Sequence, residues 1–394
     1  MITGSKELIR DINSHIVLET IINQDPISRA ALSKSLGLTK ATISAIVQEL
    51  INKKLVIEIG NDDTSLGRKP ILLSFHKKAG FVISIDLGVN TISALLTDLH
   101  GEEYQLKQIK APNDSHQLLD TLTQLIESMI VLAPESPYGL VGISMAIHGV
   151  VLNNQVTFAP YYNLTGIDFA GELERIFHAP VVLENEANLS VIAEKTFVYD
   201  QPNIANISIH SGVGLGLTMN HKLYTGFNGF AGEFGHTIVE IDGRECPCGN
   251  HGCLEQYLSE RVLLEEFAKK KGLAQANFQQ FEANYHANDP DAILIADKFV
   301  KYMAVCVNNI LNAYNPDIVV INSSFTAAFP DLVNRIEGKL SCKMSCFQAL
   351  AASTLKDNSI LLGGACTVIQ NFLGVKYLRL HNVNNDPLVS VIHV

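Results

Sequence analysis

The chain lacks any long apolar run, and this absence removes several classes of protein from consideration. None of its 394 residues belongs to a stretch approaching the ~18 consecutive apolar residues of a membrane span. The first ten residues, MITGSKELIR, lack the apolar core of a secretory signal peptide. We therefore expect a cytoplasmic protein that does not cross a membrane.

Cysteine is scarce, and positive charge is in deficit. Seven cysteines are an odd number in a long chain, so a framework of disulfides is not expected. The net charge of −11 argues against a protein covered in nucleic acid over its whole surface. The charge is uneven, however. Residues 1–78 contain 11 Lys/Arg and 8 Asp/Glu, whereas the remainder contains 18 and 32, so only the N-terminal part is expected to meet an anionic polymer.

Length and composition indicate a globular chain of more than one domain. Apolar residues make up 47% and charged residues 18%, and 394 residues are too many for a single compact core. The texture of the sequence changes after Phe75, which places a domain boundary near Lys77–Gly80. We predict an N-terminal domain over residues 1–79 and a larger α/β body over residues 80–394.

The N-terminal region has the pattern of a helix-turn-helix. Apolar residues recur at helical spacing in NSHIVLETII, at Ile16, Val17, Ile21 and Ile22. A short helix capped by Ser28 and ending at Gly37 is expected to follow. A second helix capped by Thr39 would place Ile43, Val47 and Leu50 on one face. Its N-terminal residues would then reach DNA bases, and the candidates are Thr39, Lys40, Thr42 and Ser44.

Two β-rich runs flank a polar tip in LVIEIGNDDTSLGRKPILLSF, as in the wing of a winged helix. Arg68 and Lys69 lie on this tip and are candidate contacts to the minor groove or to phosphate. The alternative is a three-helix protein-interaction module whose charges are only solvated. The basic GRKP sequence favours DNA binding.

The body repeats one strand–turn–strand plan. FVISIDLGVNTISALLTDLH predicts two strands around a turn at Gly88–Asn90, and NIANISIHSGVGLGLTMNHKL predicts a similar pair around a glycine turn. Buried strands are expected in GLVGISMAIHG and NPDIVVINSSF, and APVVLENEANLSVIAEKTF reads as a strand leading into a helix. The duplication indicates a two-lobed α/β fold with a cleft between the lobes.

A cluster of cysteines in HTIVEIDGRECPCGNHGCLEQ indicates a metal site. Cys246, Cys248 and Cys253 have the spacing C-x-C-x4-C among glycines that permit a tight wrap. Three thiolates and one imidazole form a closed tetrahedral zinc set, and either His236 or His251 could supply the imidazole. Cys342 and Cys346 are four residues apart, as on one helix face. With Cys306 and Cys366, they are interpreted as ordinary core or surface thiols.

Carboxylates and one amide surround this cluster in the sequence. Glu233 and His236 precede the cysteines in GFAGEFGH, Glu255 follows them, and Asn185 and Glu186 stand in ENEAN. Carboxylates accept hydrogen bonds from sugar hydroxyls, and an asparagine side chain both donates and accepts. If these groups converge, they suit a polyhydroxylated ligand, although each one taken singly is more often a solvated surface charge.

AGEFGH followed by CPCGNHGCLE closely resembles the signature of the ROK family, which contains sugar kinases and sugar-responsive transcriptional repressors. The resemblance covers essentially the whole chain. It implies a two-lobed, actin-like (hexokinase-like) domain behind the winged helix-turn-helix. Lobe one would comprise about residues 80–187 and 370–394, and lobe two, with the zinc loop, about residues 188–369.

The resemblance also assigns roles to residues. It makes His236, Cys246, Cys248 and Cys253 the ligands of one structural zinc ion per chain and leaves His251 outside. His236 would present its second ring nitrogen to the sugar. The positions that match sugar contacts are Asn185, Glu186, Glu233, His236 and Glu255, with Gly149 as a weaker match through its backbone.

The resemblance to the kinase branch fails where a nucleotide would bind. The kinase turn D-x-G-x-T reads DLGVN here, with Asn90 in place of the threonine. In the kinases' second glycine loop, G-T-G-x-G-x-G, this chain has His210 for the first glycine and Ser211 for the threonine, and Leu215 stands where the kinases often carry a further glycine. Each of these side chains is expected to fill space that a nucleotide would need. The strand that should end in paired glycines ends at Ser323 and Ser324. The kinases' catalytic aspartate in ENDAN is Glu186, one methylene longer, which displaces a general base from its proton.

Together these features predict a sugar-responsive transcriptional repressor without enzymatic activity. Operator DNA and a monosaccharide are the expected partners, and glucose and xylose are the sugars that the resemblance suggests. A homodimer or higher oligomer is expected, because a single small N-terminal domain (residues 1–79, called the head below) would bind one half-site weakly. The alternatives are a sugar kinase with a DNA-binding arm and a repressor controlled by a protein partner.

Overall fold

The computed structural model describes residues 6–61, 71–112, 117–159, 164, 167–343, 346–355 and 358–380. The side chains of Lys6, Asn61 and Glu103 are not described. Arg68 and Lys69, the candidate wing contacts, lie outside these ranges. No helix in the described part of the chain is long and apolar enough to cross a bilayer.

The described chain packs into two compact units. Unit 1 comprises residues 1–146, 162–183 and 364–385, and unit 2 comprises residues 147–161, 184–363 and 386–394. The N-terminal region predicted as a separate domain belongs to unit 1. The division passes through one helix, α13 (Ser359–Leu373), between Gly363 and Gly364.

The N-terminal region of unit 1 has the predicted order of helices followed by a hairpin. Its elements are α1 (Lys6–Asn23), β1 (Ile27–Ser28), α2 (Arg29–Leu36), α3 (Lys40–Asn52), β2 (Val56–Asn61) and β3 (Ile71–Phe75), and the three strands form one sheet in the order β1-β3-β2.

Both predicted helix caps in this region are present. The Ser28 hydroxyl accepts the Ala31 N–H, and α2 ends at Gly37 in the left-handed conformation. The Thr39 hydroxyl accepts the Thr42 N–H at the start of α3. Val17, Leu18, Ile21 and Ile22 of α1 are buried, but Ile16, which the sequence pattern groups with them, is 43% exposed.

The rest of unit 1 is built on a five-stranded sheet in the order β10-β7-β4-β5-β6. The strands β4 and β5 pair antiparallel, with Leu87 opposite Ile92, and this confirms the hairpin predicted around Gly88–Asn90. The elements are β4 (Phe81–Leu87), β5 (Thr91–Asp98), β6 (Glu103–Lys110), α4 (Leu118–Ile130), β7 (Leu140–Ile147), α5 (Phe169–Phe177), β10 (Val181–Asn185), which ends in unit 2, and the C-terminal part of α13.

Unit 2 contains a second five-stranded sheet, β13-β12-β11-β14-β15, and a small β8-β9 hairpin. Its central strand β11 pairs antiparallel with β12 and parallel with β14. The strands are β8 (Val150–Leu152), β9 (Gln155–Phe158), β11 (Ile204–Ile209), β12 (Val213–Met219), β13 (Lys222–Leu223), β14 (Ile318–Ser323) and β15 (Ala349–Ala352).

One face of the unit 2 sheet carries α6 (Glu186–Phe197), and helices pack against the core of the other face. These helices are α7 (Glu255–Leu258), α8 (Glu260–Lys271), α9 (Phe278–His286), α10 (Pro290–Tyr314), α11 (Ser324–Ala328) and α12 (Asp331–Glu337). The stacked rings of Phe299 and Phe325, with centroids 4.8 Å apart, lie in this core. The helical pairing predicted for Cys342 and Cys346 is wrong: neither residue lies in a helix, because α12 ends at Glu337.

Candidate functional site

A group of one histidine and three cysteines forms the centre of the candidate site in unit 2. The side-chain ligand atoms of His236, Cys246, Cys248 and Cys253 all lie within 4.8 Å of one another, and these four residues could hold a metal ion. The Cys248 and Cys253 sulfurs are 3.6 Å apart, and the His236 Nδ1 is 3.6 Å from the Cys246 sulfur. Ligands bound to one tetrahedral zinc ion at 2.0–2.3 Å are separated by about 3.3–3.8 Å. His251 is exposed and lies outside this group.

Local backbone geometry brings the three cysteines together. The Cys246 N–H donates to the Asn250 carbonyl, and the Gly249 N–H donates back to the Cys246 carbonyl. Gly252 has a φ of +76°, and a Cβ there would lie 1.7 Å from the Glu240 carbonyl oxygen. Only glycine fits this position, which explains the glycine immediately before Cys253.

Polar groups that the sequence did not single out support the thiols. Gln256 is nearly buried, and its Nε2 donates to the Cys246 sulfur at 3.6 Å. Arg244 donates from its backbone N–H to the Tyr257 hydroxyl and from its guanidinium to the Gln256 carbonyl. Burial raises the pKa of Cys253 to about 12, and its hydrogen bonds with the other two thiols act in the same direction.

His236 lies between the cysteine group and a carboxylate. Its Nδ1 faces Cys246, whereas its Nε2 is 3.8 Å from the Glu233 Oε2. One imidazole therefore presents one nitrogen to the thiols and the other to Glu233. The contact of that second nitrogen with a sugar, which the family resemblance implies, stays a prediction.

Glu233 lies beside His236 and interacts electrostatically with two further carboxylates, those of Glu186 and Glu255. Burial raises the pKa of Glu233, His236 opposes this shift, and the Glu186 and Glu255 carboxylates raise it further. The Glu186 Oε2 accepts the Ser208 hydroxyl at 2.8 Å. The Glu255 Oε2 accepts the Val213 N–H at 3.2 Å. These bonds orient two of the carboxylates from the β11-β12 hairpin.

Asn185 is committed to local structure at the end of β10. Its Oδ1 caps α6 by accepting the Ala187 and Asn188 N–H groups, and its Nδ2 donates to the Gly149 carbonyl at 2.8 Å. A Cβ at Gly149 would lie 2.2 Å from the Phe158 carbonyl oxygen, so a side chain is excluded there. The structure thus places Asn185 and Gly149 in contact, and this bond uses one of the two N–H groups of the Asn185 amide.

The glycines of the ISIHSGVGLGL sequence have a packing role. A Cβ at Gly216 would lie 2.1 Å from the Ala187 carbonyl oxygen of α6, and one at Gly214 would lie 2.8 Å from the Ala187 Cβ. Leu215 lies within β12 and packs in the core of unit 2. The expectation that Leu215 fills space in a phosphate loop is wrong, because its side chain points into the core from the strand.

Two other residues that differ from the kinases at nucleotide-binding positions, His210 and Ser323, lie in different local environments. His210 lies at the β11-β12 turn, where its N–H donates to the Gly212 carbonyl. Ser323 is buried at the end of β14, and its hydroxyl caps α11 by accepting the Phe325 N–H. Ser323 is therefore used to start a helix at the strand end where the kinases have glycine.

The candidate DNA-reading residues lie together at the start of α3. Thr39, Lys40 and Ser44 are exposed, and the hydroxyls of Thr39 and Thr42 are 2.9 Å apart. The opposite face of α3 packs against the rest of the head through four buried residues: Ile43, Ile46, Val47 and Leu50. Three of the four candidate residues at this N-terminal turn are therefore exposed.

Comparison with known proteins shows which family and which folds this chain resembles. The sequence pattern of the ROK family matches residues 82–371. The xylose repressor of Bacillus spizizenii is 35% identical over 380 residues, which is 94% of this chain and 98% of the repressor. A crystal structure described as a ROK family transcriptional regulator, homologous to the Escherichia coli MLC protein, superposes with a TM-score of 0.79 and 24% identity. That match covers 93% of this chain and 97% of the regulator.

A sugar kinase superposes on a smaller part of the chain. A ROK family glucokinase from Streptomyces griseus, solved with glucose and AMPPNP, has a TM-score of 0.65 and 20% identity. The match covers 98% of the kinase but only 73% of this chain, whereas the regulator covers nearly all of it. These likenesses confirm the predicted fold class.

Proposed function

This chain belongs to the ROK family, and from that premise we propose that it is a sugar-responsive, DNA-binding transcriptional repressor. The observation that carries the proposal is the presence of two elements in one chain. The N-terminal helices leave the first turn of α3 exposed, and unit 2 places Glu233 beside His236, where it also interacts with the Glu186 and Glu255 carboxylates. The likeness to a xylose repressor over 94% of the chain supports the same function.

The sugar is proposed to bind at the carboxylates of unit 2. Glu186, Glu233 and Glu255 accept hydrogen bonds from sugar hydroxyls, and the remaining N–H of Asn185 donates one. The Gly149 backbone lies beside that amide. The relatives favour D-xylose as the first sugar to test, with D-glucose next.

A structural zinc ion is proposed to hold this site in shape. His236, Cys246, Cys248 and Cys253 supply the nitrogen and sulfur donors that zinc prefers, at separations that fit a tetrahedral ion. Four protein ligands leave no open position, so the ion would fix the loop and orient His236 toward the sugar. The reading of DNA is assigned to α3, and a homodimer would present two such helices to an operator in the cytoplasm.

The test measures operator binding and sugar binding with the full-length protein. An operator is first selected from random-sequence duplexes, and its affinity is followed by fluorescence anisotropy with and without D-xylose and D-glucose. Sugar is expected to weaken operator binding about tenfold or more. Glu233→Ala and Glu255→Ala are expected to abolish the thermal stabilisation by sugar, whereas Glu245→Ala, an exposed carboxylate in the cysteine loop, retains it. Failure of both sugars to alter operator affinity would contradict the proposal.

A kinase with a DNA-binding arm is the second candidate, because the sugar-contacting positions are retained and Glu186 is held by Ser208. We expect no ATP-dependent phosphorylation of a hexose or pentose, in the wild type or in Glu186→Asp, because a base has no use without a bound phosphoryl donor. ADP production that requires both sugar and Glu186 would establish the kinase instead.

A further inference from the structure

The last described segment of the chain, residues 374–380, lies against the first helix of the DNA-binding head. The Glu19 Oε2 of α1 accepts the backbone N–H of Lys376 at 2.8 Å and that of Tyr377 at 3.0 Å. A carboxylate that accepts two N–H groups makes a strong, charge-assisted pair of bonds. These contacts join residues more than 350 positions apart in the chain.

One helical turn further along α1, Asn23 binds the same segment in both directions. Its Oδ1 accepts the Arg379 N–H at 2.8 Å, and its Nδ2 donates to the Tyr377 carbonyl at 3.1 Å. Leu378 and Leu380 are each only 2% exposed, so the segment is also anchored by apolar burial. Gly374 turns the chain from α13 into the segment with a φ of +63°, and a Cβ there would lie 3.0 Å from the His15 ring.

A second contact joins the end of α13 to the DNA-reading helix. The ring of Phe372 meets Tyr138 edge-on, with centroids 5.0 Å apart. The Tyr138 hydroxyl donates to the carbonyl of Lys53, the residue that caps the C-terminus of α3, at 2.7 Å. The C-terminal end of α13 is thus connected to α1 directly through residues 374–380 and to α3 through Tyr138.

The other end of α13 lies in unit 2 and is bonded to the helix that begins at the sugar site. The Ser359 hydroxyl is 3.0 Å from the hydroxyl of Ser190 in α6, and it accepts the Asn322 Nδ2 at 2.7 Å. Glu186 is the first residue of α6. One continuous helix therefore has an end bonded to the sugar-site helix and another end that leads into the segment bonded to the head.

We propose that residues 374–380 form a clasp that couples the DNA-binding head to α13, with Glu19 and Asn23 as its positioning residues. This inference rests on the proposed function and specifies how sugar binding reaches the head. Glu19 and Asn23 bind backbone groups, so the clasp holds α1 at a defined place relative to α13. When the clasp is broken, the head keeps its fold but no longer follows the state of the sugar site.

The test uses full-length Glu19→Ala/Asn23→Ala protein with the selected operator and with D-xylose and D-glucose as probes. The sugar-dependent weakening of operator affinity is expected to fall from about tenfold to less than about twofold. The thermal stabilisation by sugar is expected to be unchanged. In hydrogen exchange, the amides of Lys376, Tyr377 and Arg379 are expected to exchange at least about tenfold faster than in the wild type.

Matched variants separate positioning from general stability. Glu19→Gln keeps a side-chain oxygen for both N–H groups and is expected to retain most of the response. Arg10→Ala breaks the 2.7 Å ion pair with Glu49 in the same head. In this variant, sugar is expected to weaken operator binding as much as in the wild type. If the double variant does not fold, Asn23→Asp replaces it, because it keeps the acceptor for Arg379 and repels the Tyr377 carbonyl.

The outcomes distinguish the clasp from the function on which it rests. A wild type whose operator affinity ignores both sugars contradicts the proposed function and, with it, the coupling. A responsive wild type with an equally responsive clasp variant overturns the clasp alone. Loss of the response in Arg10→Ala as well, or unaltered amide exchange in the clasp variant, also overturns it.

Discussion

When the strands of each five-stranded sheet are numbered from one in chain order, both sheets have the order 5-4-1-2-3. The hairpin formed by the first two strands nevertheless has a different role in each sheet. In unit 1, the β4-β5 hairpin turns at Gly88–Asn90, and none of the proposed ligand-binding side chains comes from it. In unit 2, the β11-β12 hairpin orients Glu186 through Ser208 and Glu255 through the Val213 N–H. The duplicated scaffold therefore bears the proposed sensing groups on one copy, while the other copy bears the DNA-binding head and the clasp.

Glycine accounts for much of this difference. The loop that carries Glu233 packs flat on β12, because Gly232 and Gly235 would each place a Cβ within 2.3 Å of a β12 carbonyl oxygen. Elsewhere along β12, Gly214 and Gly216 allow α6 to approach. In unit 2, glycines therefore allow both α6, which begins at Glu186, and the loop that carries Glu233 to pack closely against β12.

The largest expected effect comes from removing the metal group of unit 2. Cys246→Ser is expected to reduce bound zinc from about one ion per chain to none and to abolish the sugar response, because the remaining ligands cannot close a tetrahedral site. Metal content is measured by atomic emission, and the sugar response by thermal shift. Cys346→Ser, an exposed cysteine outside the group, is the control and is expected to retain both. Full zinc occupancy in Cys246→Ser would refute the ligand set.

The next effect tests whether the glycines of β12 serve packing. Gly216→Ala is expected to destabilise unit 2 by about 3 kcal/mol, because its Cβ would lie 2.1 Å from a backbone oxygen of α6 and neither element can move freely. Gly338→Ala is the matched control, since its nearest non-neighbouring atom would be at an ordinary 3.4 Å. Urea unfolding of both variants measures the difference. Equal stability of the two would indicate that α6 does not pack against β12 as described.

Local patterns predicted much of the fold and of the candidate site. The two hairpins, the caps at Ser28 and Thr39 and the buried strands could be predicted because each depends on residues that are near one another in the sequence. The cysteines could be grouped for the same reason. The bond from Gln256 to the Cys246 sulfur could not be predicted, because a glutamine next to Glu255 does not by itself indicate a contact with a cysteine.

The features that the sequence did not predict depend on distant residues. The bonds of Glu19 and Asn23 with residues 376–379 join positions more than 350 residues apart. The sequence around a glutamate on a helix does not indicate a partner so far away. The role of Leu215 was misinterpreted because a glycine-rich run was compared with a phosphate loop, whereas tertiary packing of α6 determines where those glycines stand.

A third prediction concerns the far end of α6, where Glu194 is buried against Ser353. Burial raises the pKa of Glu194 from 4.5 to about 7, although the hydrogen bond from Ser353 opposes the shift. The folded protein therefore binds more protons than the unfolded chain between these pH values, and stability falls as the pH rises through this window. Above pH 7, this ionisation of Glu194 lowers the free energy of unfolding by roughly 3 kcal/mol.

Glu194→Gln removes this titration and tests it directly. The loss of stability between pH 5 and pH 8 is expected to be smaller in Glu194→Gln than in the wild type by roughly 3 kcal/mol. Glu337→Gln, an exposed carboxyl in α12, is expected to leave the pH dependence as in the wild type. Identical pH profiles for Glu194→Gln and the wild type would show that Glu194 is not held in a raised-pKa environment.

The smallest expected effect sharpens the contrast between the head and unit 2. Ser44→Ala, at the exposed N-terminal turn of α3, is expected to cost about 1 kcal/mol at one base pair of the operator and to change which base is preferred there. Because Ser44 has no part in the sugar site, the ratio of operator affinities with and without D-xylose is expected to stay as in the wild type. Removing the charges of Arg68 and Lys69 is expected instead to weaken binding to all sequences and to lower the salt slope by about two, since each lost phosphate contact releases about one counterion fewer. Lys339→Ala, an exposed lysine of unit 2, controls for the change in net charge and is expected to leave the slope unaltered. A Ser44→Ala protein with wild-type base preference at every position would remove the N-terminus of α3 from the reading of sequence.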